Sequence, residues 1–114
     1  MAKLWHVYKI EVDGVLIYIG VTNDVENRRQ QHMTRHWIPL AVGKIVVIET
    51  FKCRKAALKA EVAAIREHRP VGNFRGNPVG YKTTRDRDRA LFGKLNDLEA
   101  ARWRRLRAEI EAEI

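Results

Sequence analysis

Cysteine is almost missing from this 114-residue chain, and the single one, Cys53, excludes an intramolecular disulfide and a zinc site built from several thiolates. Long apolar runs are missing too, since no stretch approaches the roughly 18 apolar residues of a membrane span. The opening residues Met1-Ala2-Lys3-Leu4-Trp5 lack the apolar core and cleavage site of a signal peptide. No internal repeat is visible. These absences predict a protein of a reducing cytoplasm with no membrane partner. What is present suffices for one small domain: 46% of the residues are hydrophobic, within the globular range.

Charge is unbalanced at +8. Residues 1–80 hold 13 Lys/Arg against 7 Asp/Glu, and residues 81–114 hold 9 against 7, so most of the excess sits on the first part. A polyanion would be drawn there. A solvated basic surface is the plainer alternative.

Leu4–Val12 and Val15–Val21 read as strands around Asp13-Gly14, a strong hairpin signal. The register decides whether Tyr8 and Tyr18 can cooperate. A two-residue Asp13-Gly14 loop sets Tyr8 opposite Ile19 and sends the two tyrosines to opposite faces. A three-residue loop, Val12-Asp13-Gly14 with Gly14 left-handed, pairs Tyr8 directly with Tyr18, and this is the expectation. Asn23 then caps a helix to about Met33, with Glu26 completing a capping box. Arg28 and His32, four apart, share one face of it. Thr34–Val42, with Trp37 and Pro39, reads as a loop. Gly43–Phe51, centred on Ile45-Val46-Val47-Ile48, reads as a third strand buried on both faces.

Lys52–Arg69 is the clearest helix, ended by Pro70. Leu58, Glu61, Val62 and Ile65 form its inward stripe, where a carboxylate is out of place. Gly72–Tyr81 is a loop rich in Gly and Asn. Thr84–Ile114 is one charged helix with Leu91, Leu95, Leu98, Trp103, Leu106 and Ile110 on an imperfect stripe that Arg102 interrupts. Trp103 and Leu106 are expected to pack on the core or on a second copy of the chain, which makes this helix a homodimer candidate. The division is residues 1–80 as the domain and 81–114 as a helical extension.

Cutting a phosphodiester requires a deprotonated water, neutralised phosphoryl charge and a stabilised leaving oxygen. Mg²⁺ accepts a site with one protein carboxylate because it retains most of its waters, and Glu61 is the best candidate ligand. Arg28 has forked donors that match two phosphoryl oxygens. Its neighbour Arg29 points about 100° away round the helix. His32 can carry a proton near neutral pH. Tyr8 and Tyr18 need a nearby cation before either phenol acts as a base. Asn73, just past Pro70, can orient backbone. Taken singly, each has an ordinary reading as a strand, surface-helix or turn residue.

The ordered series His6-Val7-Tyr8, Tyr18-Ile19-Gly20, Arg28 and His32, then Glu61, Pro70 and Asn73 resembles the GIY-YIG endonuclease family over roughly residues 5–75. The resemblance implies an α+β fold, a small three-stranded antiparallel sheet flanked by helices, here with a long C-terminal helix. It implies that one of Tyr8 and Tyr18 aids the attacking water and that Gly20 permits close packing. It also implies that Arg28 contacts the scissile phosphate, that His32 fills a His-or-Tyr position, that Glu61 binds one divalent ion, and that Asn73 supports the site. His6-Val7 departs from the Gly-Ile that usually opens the first motif but leaves its tyrosine in place.

The reading is a metal-dependent endonuclease using Mg²⁺ or Mn²⁺ on DNA, with RNA left open. The alternative is a nucleic-acid-binding protein that kept the scaffold and lost turnover. Arg75, Lys82 and Arg85, in and after the glycine-rich loop, join Arg29 as candidate phosphate contacts. With no second DNA-binding domain expected, selectivity falls to this domain, a dimer or a partner.

Overall fold

A computed structural model of the chain describes residues 3–34 and 43–113. The elements run β1 (Trp5–Val12), β2 (Val15–Thr22), α1 (Val25–Thr34), β3 (Gly43–Phe51), α2 (Arg54–His68) and α3 (Thr84–Ala112). The three strands form one antiparallel sheet in the order β2-β1-β3. This is the expected α+β architecture with its long last helix. The loop expected over Thr34–Val42 falls mainly on residues 35–42, outside the described residues.

The hairpin corrects the expected register. Asp13 (φ 52°) and Gly14 (φ 78°) are both left-handed, as a two-residue type I′ turn requires, and Val12 faces Val15 directly. The extra residue lies in β2 instead of the turn: Glu11 pairs with Leu16 and Ile10 with Tyr18, leaving Ile17 as a bulge. Tyr8 therefore faces Gly20, not Tyr18. One bulged residue restores the parity that a two-residue turn alone would break. Tyr8 and Tyr18 consequently share a face as diagonal neighbours.

Both faces of the sheet are covered. On one, Tyr8, Ile10, Val12 and Ile17 pack with Leu91 and Leu95 of α3. On the other, Val7 and Ile19 pack with Ala57 and Ile65 of α2, with Ala60 and Ala64 beside them. The inward stripe of α2 is thus displaced by about one residue from the expected one. Leu58 and Val62 are exposed, because small alanines let the helix lie close to the sheet. The expectation of a doubly buried β3 is also corrected. It is an edge strand with a bulge at Ile48, and Val47 and Ile48 are exposed.

Helix α1 is capped by Asp24, whose Oδ1 accepts from the Asn27 N–H at 3.0 Å, in place of the expected Asn23. Helix α2 stops at left-handed Arg69 (φ 49°), one residue before Pro70. Thr83 caps α3, accepting from the Asp86 N–H. Two ties hold α3 along the sheet: Arg87 donates to the Gly72 carbonyl at 3.2 Å, and Arg102 pairs with Asp13 in the hairpin turn. The Asp13 tie explains why an arginine interrupts the apolar stripe. Beyond it Trp103, Leu106 and Ile110 are exposed, so they do not join the core as packing on it required. Among the described residues no helix is long and apolar enough to cross a membrane.

Candidate active site

Tyr8 occupies the central strand and is 1% exposed. Its ring lies across Gly20, where an added Cβ would sit 2.5 Å from the phenol oxygen. Any side chain at position 20 would displace that ring. The Tyr8 Oη is 2.8 Å from His32 Nε2 in a buried hydrogen bond. His32, itself 5% exposed, stands edge-on to both tyrosines, with ring centroids 5.8 Å from Tyr8 and 5.4 Å from Tyr18. The tyrosine rings are 6.2 Å apart. Two strands and α1 thus assemble a phenol–phenol–imidazole cluster.

Arg28 lies one turn before His32 on α1. Its Nε is buried and has no hydrogen-bond partner among the described residues. A buried guanidinium nitrogen without an acceptor is costly unless an anion arrives to fill the place. Glu61 is half-buried on α2. Burial holds its carboxyl above the usual carboxylate range, and the Arg28 charge opposes that rise. The same field reaches Tyr8, whose proton is held far above the ordinary phenol range. Burial is the main cause, then Tyr18, with Glu61 adding and Arg28 subtracting. Tyr8, Arg28 and Glu61, from three separate elements, therefore lie within electrostatic reach of one another.

Glu61 has no ion pair among the described residues, and no group of three or more His, Cys, Asp or Glu side chains gathers there. Such a donor set does not suit zinc. It suits a hard cation that keeps its waters and shares one carboxylate with a phosphate.

Asn73 does more than a turn residue. Its Oδ1 accepts from the Ile19 N–H at 2.9 Å, and its Nδ2 donates to the Ile19 carbonyl at 2.8 Å. The Gly72 N–H donates to the Ile17 carbonyl at 2.7 Å, an approach that a Cβ at Gly72 would block. The backbone on both sides of Tyr18 is thereby pinned from the outer edge of β2. Asn77 was not singled out from the sequence. It is buried and holds the loop, donating through Nδ2 to the carbonyls of Pro70 (2.7 Å) and Asn73 (3.0 Å). Its only sequence signal is being the second asparagine of a loop rich in glycine. Arg87 was also missed, and it ties α3 to that loop.

The remaining candidates lie outside the cluster. Arg29 is exposed and pairs with Glu26 at 3.3 Å. Arg75, Lys82 and Arg85 are exposed on the loop and at the start of α3.

Comparison with known proteins gives a consistent picture. The GIY-YIG catalytic domain matches residues 4–75. Among curated proteins, a UPF0213 protein of Serratia liquefaciens is 33% identical over 61 residues, covering 50% of this chain and 60% of that protein. A UPF0213 protein of Cupriavidus pinatubonensis is 38% identical over 72 residues, covering 56% of this chain and 76% of its own length. A UPF0213 protein of Yersinia enterocolitica is 33% identical over 63 residues, covering 52% and 65%. Against two of these three, then, the chain spans less than two thirds of the relative. No solved structure matches.

Proposed function

Because the chain belongs to the GIY-YIG family, whose catalytic domain covers residues 4–75, we propose that it is a metal-dependent DNA endonuclease working with one divalent cation. The observation that carries this reading is the buried Tyr8–His32 hydrogen bond beside an Arg28 whose Nε lacks an acceptor. Arg28 is the phosphate ligand, its fork accommodating two phosphoryl oxygens. Glu61 would hold Mg²⁺ or Mn²⁺, which when bound supplies charge neutralisation at the phosphoryl group and at the leaving oxygen.

Proton transfer falls to Tyr8 and His32 together. A phenol that holds its proton as firmly as Tyr8 does not act as a base alone. It can relay: Tyr8 Oη accepts the proton of the attacking water while its own proton passes to His32 Nε2. Gly20 and Asn73 are positioning residues, one making room for the Tyr8 ring and the other fixing β2. Arg75, Lys82 and Arg85 supply exposed cations along which a sugar-phosphate chain can track.

The test is cleavage of supercoiled plasmid in Mg²⁺ or Mn²⁺ by the unmodified protein, Glu61→Ala and Arg28→Ala. The unmodified protein should nick or linearise the plasmid and both variants should not. Equal cleavage by all three rejects the proposal. Salt-sensitive DNA binding with no cleavage in any metal would select a binding protein instead.

A further inference from the structure

The second half of α3 displays apolar side chains that nothing among the described residues covers. Trp103 is 60% exposed, Ile110 53% and Leu106 42%. At about 100° per residue the three fall within roughly 60° of one another around the helix. That stripe is turned by roughly 80–90° from the Leu91–Leu95–Leu98 face that meets the sheet. It is therefore a separate face and not an overrun of the core one. Arg107 and Glu111 line it together with the three apolar residues.

Along the sequence of this segment the charges are sorted into two blocks. Arg102, Arg104, Arg105 and Arg107 come first, and Glu109, Glu111 and Glu113 follow. Asp13 engages Arg102 and lies 3.8 Å from Arg105, whereas Arg104 and Arg107 have no ion pair among the described residues. A second copy of the same helix running antiparallel would set each arginine block against a glutamate block. A parallel copy would set like charge on like. A surface that is its own complement under a two-fold rotation is what an isologous dimer needs.

We propose that the C-terminal half of α3 is a self-association surface on which a second copy of this chain packs antiparallel. Trp103, Leu106 and Ile110 form its apolar centre, and Arg104 and Arg107 meet the partner's glutamate block. This inference uses no residue of the cleavage site, so it stands or falls independently of the nuclease assignment.

The test is sedimentation velocity on the full chain over a concentration series up to roughly 100 µM, with helicity followed by circular dichroism. The unmodified protein should be a reversible dimer that weakens with salt. Trp103→Ser should weaken association by about a hundredfold, and Arg104→Glu with Arg107→Glu by about tenfold. Adding Glu109→Arg and Glu111→Arg to that charge-reversed chain should return it to within about threefold of the original, because complementarity is restored with the signs exchanged. Phe92→Ser supplies a control, since Phe92 is exposed on the same line of the helix but outside the charge blocks. It should leave association unchanged. A monomer at the top concentration, a dimer indifferent to Trp103→Ser, a fourfold variant no tighter than the double one, or equal weakening by Phe92→Ser would each overturn the proposal.

Discussion

Between β1 and α1 the protein buries a phenol, an imidazole and the Nε of a guanidinium; along the second half of α3 it exposes an indole, a leucine and an isoleucine. Both regions invert the ordinary preference for apolar groups inside and polar groups in water. The first is dear to maintain, because each buried polar atom must find a partner, and Arg28 Nε has none among the described residues. The second adds little to the fold of a single chain, since exposed side chains give up little water. The difference teaches how each proposal arises: the cluster holds a buried cation's nitrogen with no acceptor among the described residues, and the stripe holds apolar surface left in water.

If that contrast holds, substitutions in the two regions separate cleanly. The largest effects should come from loss of Arg28 or of the Glu61 carboxylate; Arg28→Ala removes what the proposed mechanism makes a ligand for charge that grows in the transition state. Plasmid cleavage should fall by about 10²–10³-fold while the folded spectrum is retained. Tyr8→Phe keeps the ring and deletes the hydroxyl, so the relay is broken at a cost of about 10²-fold in rate, measured in the same assay. A Tyr8→Phe protein cutting at the normal rate would remove Tyr8 from proton transfer and leave it a packing residue.

Gly20→Ala probes the cluster through its packing. A Cβ there meets the Tyr8 ring at 2.5–2.8 Å, with the ring wedged in the core and unable to retreat cheaply. Denaturant unfolding should show a loss of about 1–3 kcal/mol. By contrast, Trp103→Ser in the exposed stripe should change the stability of the dilute, monomeric chain by less than about 0.5 kcal/mol. Comparable losses from the two would erase the comparison.

These contrasts were only partly legible in the sequence. Asp13-Gly14 announced the hairpin because few other dipeptides accept two left-handed residues in succession. The bulge at Ile17 left no such mark, since an extra β-branched residue in an apolar strand looks like any other, and the register was misplaced accordingly. Glu61 stood out as a carboxylate among apolar neighbours, yet the buried face of α2 belongs to Ala57, Ala60 and Ala64 instead of Leu58 and Val62. Hydropathy favours the larger residues, while close helix–sheet approach favours the smaller. Val47 and Ile48 read as core for the same reason, because composition does not distinguish an edge strand from a central one. Asn73 was recognised as a support, but its double clamp on Ile19 depends on a contact 54 residues apart.

The smallest effects are the pH-linked changes in stability that Glu61 contributes. Its raised proton affinity means the folded state holds that proton more tightly than the unfolded chain does. Stability therefore declines as pH rises from the unfolded carboxyl range through the folded one. Glu61→Gln should flatten that decline and raise Tm near neutral pH by about 2 °C. On the acid side, cleavage by the unmodified protein should fade at a higher pH than an ordinary carboxylate ligand would allow, because protons compete with the metal.

Glu61→Gln is thus the sharpest single probe, since it should leave the fold intact or firmer while removing the carboxylate. Plasmid cleavage in Mg²⁺ and thermal unfolding without metal, measured on one preparation of this variant, test the central claim directly. Cleavage abolished at an unchanged or higher Tm is the predicted result. A variant that cuts DNA as fast as the unmodified protein would contradict it.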